Sequence, residues 1–193
     1  MSMAGLCICV KRRAATPPTA EGIAGSRRPR HHPGAGEYRR GRGFRPKTGD
    51  PYRSRGKLAA GTTCAVCGLV VVDGVWKKPA SGARPRGRGI CPACRGIRDD
   101  YPGGILKIKG KLSAARREEI LNRARIVARQ EAGAHPLQRL MQIEESPEET
   151  ILYFTGEHVP VRVGKALRRD FGGSLSIRYA PDEKFAVAHW TRD

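Results

Sequence analysis

Residues 64–94 have the sequence C-A-V-C-G-L-V-V-V-D-G-V-W-K-K-P-A-S-G-A-R-P-R-G-R-G-I-C-P-A-C. A C-x-x-C pair stands at each end, Cys64 with Cys67 and Cys91 with Cys94. Each pair places two thiolates on one tight turn, and two such turns facing each other supply four soft ligands for a tetrahedral Zn²⁺ ion. Because four cysteines leave no position open for water, we expect one zinc ion with a structural rather than a catalytic role.

The residues beside and between the cysteine pairs favour a zinc ribbon. Gly68 follows the first pair, where the turn needs a residue that tolerates positive φ. Residues 69–72 and 75–76 are apolar enough for two short strands, and Asp73-Gly74 between them is a strong hairpin pattern. The cysteine spacing and the hairpin therefore predict the same small β module.

Other uses of the cysteines fit the spacing less well. A redox C-x-x-C occurs once, between a strand and a helix, whereas this chain has two with a hairpin between them. Disulfides would require an oxidising compartment, which nothing in the chain indicates. Cys7 and Cys9 can bind metal in principle, but they have no cysteine or histidine partners nearby, so we interpret them as incidental.

The net charge of +19 lies almost entirely before residue 113. Residues 1–60 carry fourteen Lys and Arg against three acids, residues 61–112 carry ten against three, and residues 113–193 carry thirteen against twelve. Such a field attracts polyanions, and the excess of Arg over Lys near the start favours forked contacts with phosphate. A membrane surface is the weaker candidate partner, because the basic region has neither an amphipathic helix nor an acylation site.

The sequence also predicts the compartment. The apolar run at residues 4–10 is too short to span a bilayer, and its positive charges follow the run instead of preceding it as in a secretory signal. We therefore expect a cytoplasmic protein.

Two basic segments are candidate nucleic-acid contacts. Residues 1–57 are rich in Arg, Gly, Pro and His without helical or strand periodicity, so we expect a disordered tail that orders on RNA or, alternatively, serves only solubility. Residues 77–89 are too Gly-rich and charged for a strand, which predicts a projecting basic loop or, alternatively, a merely solvated one. The candidate side chains are Arg39, Arg40, Arg42, Arg45, Lys77, Lys78, Arg84, Arg86 and Arg88.

Residues 112–193 are predicted to form a small α+β domain with an antiparallel sheet in the order αββαββ. The expected helices cover 113–133, with Ser113 as N-cap, and 157–170; the expected hairpins pair 137–144 with 150–154 and 175–179 with 185–190. Residues 105–109 are a further strand, which we assign to the zinc ribbon. The predicted parts are thus a basic tail at 1–57, a ribbon at 58–111 and the α+β domain at 112–193.

No motif in the chain indicates catalysis. The histidines His135, His158 and His189 lie in different predicted elements, and the chain has no nucleophile elbow and no Walker-type phosphate loop. We therefore predict a protein that is not an enzyme and has no small-molecule substrate.

Several segments resemble known families. The segment D-P-Y-R-S-R-G-K-L at 50–58, both C-x-x-C pairs, I-R-D-D-Y-P-G-G at 97–104 and H-P-L-Q-R-L-M at 135–141 are similar to a small family of uncharacterised bacterial zinc-ribbon proteins. That resemblance covers nearly everything after the tail and implies no established activity.

A more remote resemblance covers about half of the chain. The runs R-G-I-C-P-A-C-R-G-I-R at 88–98, I-L-K-I-K-G at 105–110 and the segment 144–167 resemble the zinc-binding N-terminal region of the archaeal and eukaryotic large-ribosomal-subunit export adaptor. The chain departs from that family in having one complete four-cysteine set and in lacking its later domains and transport signals. The resemblance implies contact with ribosomal RNA, and export is not carried over.

Together these features predict a non-enzymatic RNA-binding zinc ribbon that acts on the ribosome or in its assembly. Two alternatives stay open. One is a DNA-binding or transcription-associated zinc ribbon, and the other is an adaptor whose nearly neutral α+β domain binds a protein while the basic tail serves as an anchor.

Overall fold

The computed structural model describes residues 58–80, 85–180 and 184–192, and within them the chain forms two sheets and three helices. The first sheet has the strand order β3-β2-β1-β4, and one short helix follows it. Its elements are β1 (Thr62–Cys64), β2 (Val70–Val72), β3 (Val75–Lys77), β4 (Gly87–Gly89) and α1 (Pro92–Arg98). The predicted N-terminal tail at 1–57 lies outside the described residues.

The predicted hairpin is confirmed as the β2–β3 pair, in which Val72 lies opposite Val75. Both turn residues have positive φ, 53° at Asp73 and 76° at Gly74, as a two-residue type I′ turn requires. The Asp-Gly sequence therefore accounts for this turn from local residues alone.

The prediction that the basic segment contains no strand is wrong for Gly87–Gly89. These residues form β4, which pairs in parallel with β1, so that Arg88 lies opposite Thr63. A Cβ atom at Gly89 would come within 3.3 Å of Thr62 Cγ2, and one at Gly87 within 3.6 Å of Thr62 Oγ1. The contact at Gly87 is an ordinary van der Waals distance, whereas the one at Gly89 is tight, and the pairing with β1 is a tertiary contact that composition alone does not predict.

The second sheet has five strands in the order β6-β7-β5-β9-β8, with two helices packed on it. Its elements are β5 (Gly104–Gly110), α2 (Ala114–Ala134), β6 (Leu140–Glu145), β7 (Glu149–Phe154), α3 (His158–Phe171), β8 (Ser174–Tyr179) and β9 (Ala186–Arg192). The predicted helices and hairpins agree with these bounds to within three residues. Ser113 is the N-cap of α2, as predicted, and its hydroxyl accepts a hydrogen bond from the Arg116 N–H over 3.3 Å.

Two predictions about this sheet are wrong. The strand that we assigned to the ribbon, β5, is the central strand of the second sheet, so a boundary after residue 111 would separate the sheet from its own centre. The sheet is also mixed instead of antiparallel, because β5 pairs in parallel with β9. The β7–α3–β8 connection carries the chain past β5 and β9, and β9 then turns back to run in the same direction as β5.

The main core lies between this sheet and the two helices. Leu106 of β5 lies between Leu152 and Ala188 in the ladder, and Ile108 lies between Thr150 and Trp190. The helices cover these residues with apolar side chains that are almost fully buried: Ile120, Leu121, Ala124 and Ala128 of α2, and Val159, Val163 and Leu167 of α3. No helix in the described part of the chain is long and apolar enough to cross a membrane.

We predict that a fragment of residues 102–193 unfolds cooperatively on heating and that a fragment of residues 112–193 does not. The shorter fragment lacks β5, which supplies the backbone partners of both β7 and β9 and the buried Leu106 and Ile108. Circular dichroism melts of the two fragments test this expectation. A cooperative transition in the shorter fragment would contradict the central role of β5.

Candidate metal centre

The first cysteine pair lies on a tight turn after β1. The Cys64 N–H donates to the Leu69 carbonyl over 2.7 Å, and the Gly68 N–H donates to the Cys64 carbonyl over 2.9 Å. Gly68 has φ of 74°, the left-handed conformation expected at this position. The turn therefore folds Cys67 back toward Cys64, so that both sulfurs point to the same place.

The second pair lies at the start of α1. Cys91 is the N-cap of this helix, and its Sγ accepts a hydrogen bond from the Cys94 N–H over 3.4 Å. Pro92 occupies the first turn, where a missing N–H costs no hydrogen bond. Proline in that position is a common helix-start pattern, so the C-P-A-C sequence could have predicted this helix, where we expected only a tight turn.

The four predicted ligands come together. The sulfurs of Cys64, Cys67, Cys91 and Cys94 all lie within 4.8 Å of one another, and they form the group that can hold a metal ion in the described residues. The Cys67 and Cys91 sulfurs are 3.6 Å apart, far beyond the roughly 2.05 Å of a disulfide. Tetrahedral ligands at about 2.3 Å from a zinc ion would be about 3.8 Å from each other, so the spacing fits that ion.

Burial and hydrogen bonding shift the pKa values of three of the thiols in different directions. Burial raises the pKa of Cys91 to about 11 and also raises that of Cys94, where the neighbouring sulfurs add to the effect. Burial also acts to raise the pKa of Cys64, but hydrogen bonds from backbone N–H groups, that of Cys91 foremost, outweigh it and lower the pKa to about 6. A cation bound among the sulfurs would favour the thiolate form at all four positions.

Arg139, which immediately precedes β6, contacts the cluster; it lies in the H-P-L-Q-R-L-M segment, but nothing in that segment indicated a role at the cysteines. Its Nη2 donates to Cys67 Sγ over 3.2 Å and its Nη1 to Cys94 Sγ over 3.7 Å. Burial by itself would lower the pKa of Arg139. The hydrogen bond to Cys67 and the charge on the sulfurs act in the opposite direction and outweigh burial, so the pKa is raised. No spacing rule points to this residue, because it lies 45 residues beyond Cys94 in the chain.

An apolar cluster surrounds the cysteines. Leu69, Val71 and Trp76 pack against the cysteines on the ribbon side, and Leu137 of the following domain packs against the same cluster. Trp76 is 6% exposed, so its emission reports on the integrity of the ribbon. The other tryptophan, Trp190, belongs to the separate core of the second sheet.

The structure separates the predicted basic contacts. Lys77 and Lys78 lie at the end of β3, whereas Arg86 and Arg88 lie just before and within β4, at the opposite edge of the four-stranded sheet. All four side chains are exposed. The remaining predicted contacts, Arg39, Arg40, Arg42, Arg45 and Arg84, lie outside the described residues.

The three histidines among the described residues are dispersed in the fold. His135 is the C-cap of α2, His158 is the first residue of α3, and His189 lies in β9 opposite Ser176. They lie in three separate elements, as the sequence predicted.

Comparisons with known proteins add no assignment: no protein-family model, no curated protein and no solved structure matches this chain.

We predict that removing the metal with a chelator exposes one of the two tryptophans and leaves the other protected. Trp76 belongs to the cysteine cluster, whereas Trp190 is fully buried in a core that contains no cysteine. Acrylamide quenching before and after chelation measures the accessible fraction. Exposure of both tryptophans, or of neither, would contradict the separation of the two cores.

Proposed function

We propose that the protein is a non-enzymatic zinc-ribbon protein that binds RNA and acts in the cytoplasm on the ribosome or in its assembly. The observation that carries this proposal is the four-cysteine cluster within 4.8 Å at the base of a basic β module. Four thiolates in a tetrahedral arrangement select Zn²⁺ or an iron–sulfur cluster, and a closed set of two C-x-x-C turns is typical of structural zinc.

The charge distribution supports RNA as the partner. Residues 1–112 carry 24 Lys and Arg against six acids, whereas the rest of the chain is nearly neutral. Arg86, just before β4, and Arg88, within it, are both exposed to solvent. Guanidinium groups held on a rigid strand can meet a phosphate backbone in one orientation, which favours a structured RNA over an arbitrary polyanion.

The ribosomal assignment is supported by the resemblance of residues 88–110 and 144–167 to the zinc-binding region of the subunit export adaptor. Sedimentation of native lysates tests it directly, because a ribosomal protein or assembly factor travels with large subunits. Nuclease treatment before sedimentation separates the alternatives. Release by RNase supports the proposal, release by DNase alone supports the DNA-binding alternative, and retention after both supports a protein-binding adaptor.

We predict one zinc ion per chain in the purified protein, measured by elemental analysis. Cys91→Ser should lower the zinc content, because Cys91 is fully buried in the cluster and no other described cysteine is available to replace it. Zinc content unchanged in this variant would contradict the four-thiolate site. Iron in place of zinc would show the other metal that this ligand set selects.

We predict that RNA affinity depends steeply on salt and that Arg86 and Arg88 contribute to it. With about six phosphate contacts on single strands or loops, log K should fall with log salt with a slope of about −4. The Arg86→Ala, Arg88→Ala double variant should make the slope shallower by about 1.4, since each lost contact contributes about 0.7. Deleting residues 1–57 should weaken RNA binding more than the double variant does, and it should make the dependence of log K on log salt still shallower.

The matched control is an Arg129→Ala, Arg168→Ala double variant, which removes two exposed arginines from α2 and α3. It changes the net charge equally but leaves the ribbon intact, so the salt slope should stay close to that of the wild type. Fluorescence anisotropy over a salt series measures the RNA affinity of the wild type, the two double variants and the protein without residues 1–57. Equal effects of the two double variants would show that net charge, and not the ribbon, determines binding.

A further inference from the structure

We propose that Arg139 is the outer-sphere cation of the metal site and that it docks the ribbon onto the five-stranded sheet in a metal-dependent way. This inference rests on the four-thiolate site proposed above and goes beyond it, because it couples metal occupancy to the arrangement of the two modules. Arg139 is half-buried and immediately precedes β6.

The hydrogen bonds to the four sulfurs divide into two complementary sets. Backbone N–H groups donate to two of the sulfurs: Cys91 N–H donates to Cys64 Sγ and Cys94 N–H donates to Cys91 Sγ, each over 3.4 Å. The guanidinium of Arg139 reaches the other two sulfurs, those of Cys67 and Cys94. With Arg139 in place, each of the four sulfurs accepts a hydrogen bond from an N–H donor.

The charge of a loaded site explains why a cation is needed there. Four thiolates around a divalent ion carry a net charge of −2, and Cys64, Cys91 and Cys94 are almost fully buried. A buried charge is costly unless it is paired and hydrogen-bonded. A guanidinium can donate to two sulfurs at once through its planar fork, which a lysine ammonium cannot reproduce in the same geometry.

Arg139 is itself fixed to the sheet. Its Nε donates to the Pro136 carbonyl over 2.6 Å, and its backbone N–H donates to Thr155 Oγ1 over 2.7 Å. Thr155 follows β7, and its hydroxyl donates to the Leu137 carbonyl over 2.6 Å while its N–H donates to the Arg139 carbonyl over 2.9 Å. The segment that carries the guanidinium is therefore held at the end of the β6–β7 pair.

The same segment makes an apolar contact with the ribbon. Leu137 packs against the cluster that contains the cysteines, two residues before Arg139. The contact between the modules thus has an apolar part at Leu137 and a polar part in which the Arg139 guanidinium donates to Cys67 and Cys94, two of the sulfurs that would hold the metal. Metal binding should then tighten the segment 136–140 against the ribbon.

Three full-length variants test the proposal. Arg139→Met removes the cation and the fork, Arg139→Lys keeps a charge without the fork, and Arg129→Met is the matched control. Arg129 is an exposed arginine of α2 whose Nε donates to the Arg125 carbonyl of the same helix. Competition with a chromophoric chelator measures the zinc affinity of each variant, and hydrogen exchange with mass spectrometry measures the protection of residues 136–140 with and without zinc.

We expect Arg139→Met to weaken zinc binding about 10- to 100-fold, as loss of an outer-sphere partner does, with Arg139→Lys in between and Arg129→Met unchanged. Zinc should increase the protection of residues 136–140 in the wild type and in Arg129→Met, and this increase should be absent in Arg139→Met at saturating zinc. A purely structural role would instead lower protection equally with and without zinc and leave the zinc affinity unchanged.

The proposal is overturned if Arg139→Met binds zinc within twofold of the wild type, or if zinc does not change the protection of residues 136–140 in the wild type. Leu137→Ala provides a second, milder test, because it removes only the apolar contact and should leave the zinc affinity unchanged. A wild-type protein that binds no zinc would refute the metal site itself, which distinguishes that failure from a failure of the role of Arg139.

Discussion

The convergence of four cysteine sulfurs is the constraint on which the ribbon depends. Each strand of the first sheet has three residues, and the buried cluster beneath them contains few large apolar side chains besides Leu69, Val71 and Trp76. A module of this size rarely buries enough apolar surface to fold without a metal or a disulfide. The four sulfurs therefore take the place of a larger apolar core. They join the end of β1 to the start of α1, and in this way they hold both ends of the segment that contains the β2–β3 hairpin.

The second sheet is stabilised in a different way. Its central strand, β5, is buried along most of its length, and the ladder places Leu106 and Ile108 beneath the apolar faces of α2 and α3. This core contains no cysteine, so its packing does not involve the sulfur cluster. The two modules meet where Leu137 and Arg139 contact the ribbon, and this contact combines apolar packing with hydrogen bonds to the sulfurs.

The ribbon and the helical domain differ in their charge, and this difference supports different roles for the two modules. The ribbon carries exposed cations at both edges of its sheet, whereas several arginines of α2 and α3 form ion pairs within the domain, as Arg123 does with Asp170 and Arg125 with Glu118. Paired arginines contribute little to the field that attracts a polyanion. The helical domain is thus suited to hold the ribbon in place, and the proposed phosphate contacts belong to the ribbon and the preceding basic residues.

The sequence by itself determined the features that depend on neighbours in the chain. The turn that carries Cys64 and Cys67, the Asp73-Gly74 hairpin and the Ser113 cap were predictable because each requires particular residues within a few positions of one another, whereas the second cysteine pair begins a helix instead of forming the predicted turn. The tertiary structure alone decided the position of β5, the pairing of β4 with β1 and the contact of Arg139 with Cys67, which joins residues 72 positions apart. Such contacts leave no periodicity or spacing in the sequence, because the partner of a strand or a guanidinium is selected by what the rest of the fold brings beside it.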